Sequence, residues 1–225
     1  MSEGLEADDL ALRDRIDLAL AQLSNGGELP EGVLDEVLSA QQSDGGWNAE
    51  GDPEAEAVDL DTTGAAVDLM VLAGMSTEDD PLEAALGFVA GSQAEDGTWP
   101  GPEGESSAIA TAGAIRAIRA VGHDPAGTCW QTDLGHEAGS TTPEAALIGL
   151  QAEGGQFAGE EPVLATAAAV HALSGRWLPR GRADDACALD EGGLPFEPSL
   201  LVLGAIAVVG VGGGVRILRS GPGGF

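Results

Sequence analysis

The chain contains no lysine and no tyrosine, and only four Trp, four Phe and two Cys among its 225 residues. Each shortage excludes something. Nine arginines are the whole basic complement against 38 Asp and Glu, giving a net charge of −29. Such a chain has no cationic surface with which to displace counterions from nucleic-acid phosphates or to lie on anionic lipid headgroups. Nucleic acid is therefore not an expected partner. The acidity reads first as solubility, as in a salt-adapted or GC-rich setting, with a specific cationic partner as the alternative. The two cysteines, Cys129 and Cys187, form no C-x-x-C pair, which leaves one disulfide and two buried thiols equally open. The first residues, Met1-Ser2-Glu3-Gly4-Leu5-Glu6, offer neither the basic nor the apolar stretch of a signal peptide.

Against these absences stands a 43% hydrophobic content, enough for a sizeable core. Its spacing is helical. Leu12, Ile16, Leu20 and Leu23 mark a first helix over about 5–23, ended by Asn25-Gly26-Gly27, and a second begins near Pro30. A third, about 62–74, is apolar nearly all round and is expected to be enclosed. A fourth opens at Asp80-Pro81 with Glu83 in its first turn, a cap, proline and capping-box acid together. Further helices fit about 107–120, 143–151 and 163–174. No segment alternates with period 2, so the fold class is all-α.

Between the helices a motif returns. Gln41-Gln42-Ser43-Asp44-Gly45-Gly46-Trp47 and Gln93-Ala94-Glu95-Asp96-Gly97-Thr98-Trp99 both read Q-x-x-x-G-x-W. Gln151-Ala152-Glu153-Gly154-Gly155-Gln156-Phe157 reads the same with Phe as its ring, and a degenerate fourth copy ends at Phe196. The steps between the first three, 52 and 58 residues, leave room for two helices and two loops. Physically the motif is a brace. Gln ends a helix, Gly permits a left-handed turn, the aromatic ring folds back over the amide, and the Gln side chain serves backbone groups at a neighbouring helix end.

The pattern resembles the QW repeats of the squalene–hopene cyclase and protein prenyltransferase β-subunit superfamily, over about residues 5–197. The resemblance implies a partial α/α toroid of helical hairpins. A full family ring has about six hairpins and about four are countable here, so the ring would be incomplete or finished by a partner. It also implies candidate chemistry. The family's cyclases carry an acid in D-x-D-D-T-A, and Asp59-Leu60-Asp61-Thr62-Thr63-Gly64-Ala65 matches it in part. That puts Asp61 in the place of the general acid beside Asp59, with Thr62 replacing the last aspartate. The structural alternative is that Asp61 or Thr62 caps the third helix. Carbocation chemistry also wants aromatic walls. Once Trp47, Trp99 and Phe157 are assigned to braces, only Phe88, Trp130, Trp177 and Phe196 remain inside the chain.

The prenyltransferases bind zinc through a D-x-C step, present as Asp185-Ala186-Cys187, but the candidate histidine, His171, precedes it instead of following. No metal and no cofactor are expected. A diphosphate would need a basic pocket, for which Arg116 and Arg119 are the paired arginines on an inner helix. The longest loop, 122–142, gathers His123, Cys129, Trp130 and His136, where Trp130 is expected to pin a surface loop and the histidines to be solvated.

Residues 198–215 form an uncharged run of 18, about 27 Å as a helix, followed by Arg216 and Arg219. The expected organisation is a toroid-like repeat domain over 1–197, a single C-terminal transmembrane helix over 198–218 placing the protein at a membrane, and a short tail, 219–225. The leading functional expectation is a non-catalytic module that binds a protein partner, a second copy or a small apolar ligand. An isoprenoid-processing enzyme using Asp61 is the alternative.

Overall fold

The computed structural model describes residues 10–55, 58–135, 139, 141–157 and 161–174. All of them belong to the first of two units into which the chain divides, Met1–Glu191; the second, Gly192–Phe225, lies outside the described residues. The described residues are helical and contain no strand, as the periodicity requires. In chain order the helices are α1 (Leu12–Ser24), α2 (Val33–Ser39), α3 (Leu60–Leu72), α4 (Asp80–Gly91), α5 (Ala108–Ala120), α6 (Cys129–Asp133), α7 (Pro143–Gly149) and α8 (Pro162–Ser174).

Four of these, α1, α3, α5 and α8, have 13 residues each and pack side by side in that order. They run parallel and in register, because equivalent positions meet. Arg13 and Asp61 are each the second residue of a helix and are hydrogen-bonded, as are Asp68 and Arg116, each the ninth. Near the other end Arg119 of α5 reaches the Leu173 carbonyl of α8. Small residues set the approach of α3 and α5. A Cβ on Gly64 would lie 2.2 Å from the Gly113 carbonyl oxygen, and one on Gly113 would lie 2.4 Å from that of Leu60. Backbone meets backbone there, which explains why α3 is enclosed on nearly every side: Thr62 through Met70 are all buried. The outer helices α2, α4 and α7 lie against this row.

The three Q-x-x-x-G-x-W/F turns share one hydrogen-bond pattern. Gln41, Gln93 and Gln151 each donate from Nε2 to the carbonyl of Gly45, Gly97 and Gly155, at 3.0, 2.9 and 2.7 Å. Those glycines have φ of +99°, +86° and +82°, a left-handed turn that Cβ-bearing residues avoid. Trp47 and Trp99 are fully buried, and each indole Nε1 donates to a carbonyl ten residues back, Val37 and Val89, at 2.7 Å. The ring therefore ties the turn to the preceding outer helix. The glutamine closes its own turn; Gln41 also reaches the Pro81 carbonyl of α4. A fourth partner escaped the sequence reading. The backbone N–H of Trp47, Trp99 and Phe157 donates to the hydroxyls of Thr63, Thr111 and Thr166, at 3.1, 3.0 and 3.0 Å. Each brace is thus locked to the first turns of the next inner helix.

Two expectations need correction. The loop over 122–142 holds the short helix α6, and Trp130 within it is fully buried, stacked at a tilt on Trp99 with centroids 6.0 Å apart. It belongs to the core that the second brace anchors and does not merely pin a surface loop. His123 is half-buried, so it is not a solvated histidine; His136 lies outside the described residues. Cys129 is disulfide-bonded. Cys187, the fourth motif copy at Phe196, and Trp177 lie outside the described residues, as do residues 198–218 and 219–225. No helix among the described residues is long and apolar enough to cross a membrane.

Candidate functional site

The in-register row creates a site because its members cannot all line one cavity unless the row bends. Packed helices sit about 8–10 Å apart, so the first and fourth of a straight row would stand roughly 25–30 Å from each other. Yet α1, α3, α5 and α8 together line a single cleft of about 500 Å³. The row is therefore concave on this face. Helical spacing supplies the lining: Arg13, Asp17, Leu20 and Ser24 of α1 recur every three or four residues on one side. Opposite them stand Leu164, Ala167, Ala168 and His171 of α8, and between them Asp61, Ile109 and Arg116.

The apolar part of the lining is aliphatic, made by Leu20, Ala21, Ile109, Leu164, Ala167 and Ala168. The charged groups are cross-linked. Arg13 donates from Nε and NH2 to Oδ2 of Asp61, at 3.1 and 2.8 Å, and its other nitrogen pairs with Asp17. Burial opposes the charge on Arg13, and the Asp61 and Asp17 carboxylates outweigh it, so the guanidinium holds its proton more firmly than usual. Arg116 donates from Nε and NH2 to Oδ2 of Asp68, at 3.0 and 2.7 Å, and its third nitrogen is 3.6 Å from Oδ1 of Asp61. Asp68 is only 3% exposed. Burial pushes its carboxyl up to about 6, with the Arg116 charge pulling the other way. Burial, then the charge of Arg116, also lowers His171 below the ordinary imidazole value.

Asp61 does not cap α3, and neither does Thr62. The cap is Asp59, whose carboxylate accepts from the backbone N–H of Asp61 and Thr62, at 3.0 and 3.3 Å, and from the Thr62 hydroxyl. The reason is positional: Asp59 is the last extended residue before the helix, while Asp61 is already in its first turn and points across to α1. Asp61 therefore lines the cleft and Asp59 stands behind it. Of the aromatic side chains held in reserve for a reactive cavity, Phe88 packs against the core and Trp130 against Trp99; neither lines the cleft. Arg116 and Arg119 diverge, the first into the cleft and the second to Glu144 of α7. All four arginines among the described residues, Arg13, Arg15, Arg116 and Arg119, are ion-paired. No group of three or more His, Cys, Asp or Glu among the described residues could hold a metal; Asp185 and Cys187 lie outside them.

The Arg13–Asp61 and Asp68–Arg116 pairs were missed by motif reading, yet a signal exists. Both pairs are 48 residues apart, the spacing from the start of α1 to α3 and from α3 to α5. Opposite charges one inner-helix step apart are neighbours when the helices run in register. Compared with protein-family models, curated protein sequences and solved structures, the chain matches none.

Proposed function

We propose that this chain is a non-catalytic helical scaffold, part of an α/α-toroid-like ring, that holds a small apolar ligand in its concave cleft at a membrane. The observation that carries this reading is the cleft itself: a wall of Leu, Ile and Ala from three of its four helices, α1, α5 and α8, with its arginines already held by carboxylates. Leu and Ala give area for burial at about 25 cal/mol per Å². Paired guanidiniums leave little to grip a diphosphate. The test is fluorescence of the uncharged probe N-phenyl-1-naphthylamine. Saturable enhancement is expected with the wild type and loss of it in Ala167→Trp, whose new ring fills the cleft from an exposed position on α8. Equal enhancement in both proteins would sink the reading.

The membrane part rests on residues 198–218 and is tested separately: alkaline carbonate should leave the full chain in the membrane pellet. A protein partner or a second copy would find exposed apolar side chains at Val163 and Val170 of α8, 84% and 58% exposed. Light scattering over a concentration series should then show self-association.

One observation favours the enzymatic alternative, that Asp61 lines the cavity. Against it, Asp61 Oδ2 accepts two N–H bonds from Arg13, so a proton there would have to displace a guanidinium. Incubation with squalene and with geranylgeranyl diphosphate distinguishes the readings. A cyclic product formed by the wild type and absent with Asp61→Asn would establish the enzyme; no product from either is expected.

A further inference from the structure

Arg116 stands in the cleft with a carboxylate on either side, and the two are not equivalent. Asp61 lines the cavity with it, whereas Asp68 sits behind it in the helix layer, all but sealed from solvent. Asp68 accepts both short bonds from Arg116; Asp61 is the more distant partner. A group that no cleft ligand can touch thus decides how far a cleft-facing cation is neutralised. The charges that face this pair are Arg13 and Asp17 from α1, Asp61 from α3 and His171 from α8. With Asp68 ionised and His171 neutral, Arg13 and Arg116 are set against three carboxylates, and the cleft is net negative. With Asp68 neutral the carboxylates fall to two, and the only ion pair left to Arg116 is its longer one, to Asp61.

We propose that the cleft is an acid-gated receptor for amphiphiles with an anionic head, admitting the head beside Arg116 when Asp68 is protonated and rejecting it when Asp68 is ionised. This rests on the reading of the cleft as an apolar-ligand site, and adds the class of ligand and its control. The apolar wall takes the tail, and Arg116 is the cation against which the head is placed. Burial supports the gate, since it moves the Asp68 carboxyl to about 6, into a range that mild acidification crosses. His171 works in the same direction: acidification gives it a positive charge, and burial together with the charge of Arg116 sets that step below the ordinary imidazole value.

The experiment is displacement of bound N-phenyl-1-naphthylamine from the full chain by decanesulfonate, whose charge is constant, at pH 7.5 and 5.0. Only the signal lost in Ala167→Trp is counted. A group titrating near 6 is protonated in about 3% of molecules at pH 7.5 and about 90% at pH 5.0, so apparent affinity should tighten by up to about 30-fold. Decyltrimethylammonium should bind no tighter at pH 5.0. Asp68→Asn should bind the sulfonate tightly at both pH values, and His171→Gln should retain the pH response. Wild-type affinity equal at the two pH values overturns the gate and needs no variant to be read. So does tightening of both amphiphiles alike, weak sulfonate binding by a folded Asp68→Asn protein at pH 7.5, or loss of the response in His171→Gln. If the naphthylamine fails to bind at either pH, the cleft reading itself has failed. If it binds and the sulfonate ignores pH, only the gate has.

Discussion

Replacing Gly113 by alanine tests the contact that sets the approach of α3 and α5. In an exposed helix Gly→Ala stabilises by about 1 kcal/mol through backbone entropy, and that gain applies at Gly113 as elsewhere. Its new Cβ, however, would sit 2.4 Å from the Leu60 carbonyl oxygen and 2.7 Å from Asp61 Cα, both backbone atoms that cannot rotate away. A carbon approaching a carbonyl oxygen settles at about 3.3 Å, so α3 and α5 would have to separate by nearly 1 Å. Overpacking of this kind costs about 1–3 kcal/mol, sometimes more. A gap of that size also forfeits about a quarter to a half of each neighbouring dispersion contact. The net expectation is a loss of up to about 2 kcal/mol, a Tm lower by up to about 4–8 °C for a chain of this length. Gly87 in α4 is the internal control, since a Cβ there meets nothing within 4 Å. Gly87→Ala should gain about 0.5–1 kcal/mol. Urea unfolding followed by tryptophan fluorescence measures both. If Gly113→Ala is as stable as Gly87→Ala, backbone contact does not set the approach of α3 and α5.

Asp68 makes stability depend on pH with a defined sign. Its folded pKa, about 6, lies above the unfolded 3.8, so its contribution is fully present below the unfolded value and is lost as pH rises through the folded one. The shift corresponds to about 3 kcal/mol. The stability of wild type relative to Asp68→Asn, from urea curves at intervals between pH 4 and 7.5, should fall by up to that amount; a constant difference contradicts the burial argument. Thr111→Val removes the acceptor for the buried Trp99 N–H at nearly constant volume, and should cost about 1–3 kcal/mol, with Thr111→Ser restoring most of it in thermal unfolding. Glu36→Gln breaks the part-exposed Arg15 pair and should cost under about 1 kcal/mol. A larger loss would mean that the α1–α2 contact depends on charge more than on Ile16 and Val37.

Much of the helical framework was legible because it is written in local terms. Periodicity placed α3, α5 and α8 within about two residues of their ends, and the motif marked three turns whose Gln, Gly and aromatic positions do the same thing each time. What stayed hidden depends on register between segments far apart in the chain. Nothing local distinguishes Asp59 from Asp61 as the cap. The difference lies in which residue is still extended when α3 begins, and in Arg13 waiting 48 residues earlier to receive the other. Thr63, Thr111 and Thr166 escaped for a related reason. Their distances to the ring residues they hold vary from 9 to 16 with loop length, so no fixed spacing reveals them. Trp130 was misplaced because α6, only five residues long, leaves no periodic trace.

Internal repetition also separates scaffold from site. At positions that build the braces the copies agree: a Gln bonded to the carbonyl of a left-handed Gly, and an aromatic residue whose backbone N–H donates to a Thr hydroxyl, recur in all three. At the level of the cleft they disagree. Asp61, Ile109 and Leu164 each stand two residues before the bracing Thr, and Asp68, Arg116 and His171 each stand five residues after it. These are equivalent places on equivalent helices, yet one level mixes a carboxylate with two aliphatics and the other an acid, a guanidinium and an imidazole. Packing cannot require that variety, since the same helix geometry surrounds each. Complementarity can: Asp68 answers Arg116 across the α3–α5 contact, and Arg13 answers Asp61 across α1–α3. All of the divergent positions except Asp68, which is buried behind Arg116, line one concave face, which is where a scaffold of repeated parts has room to be specific.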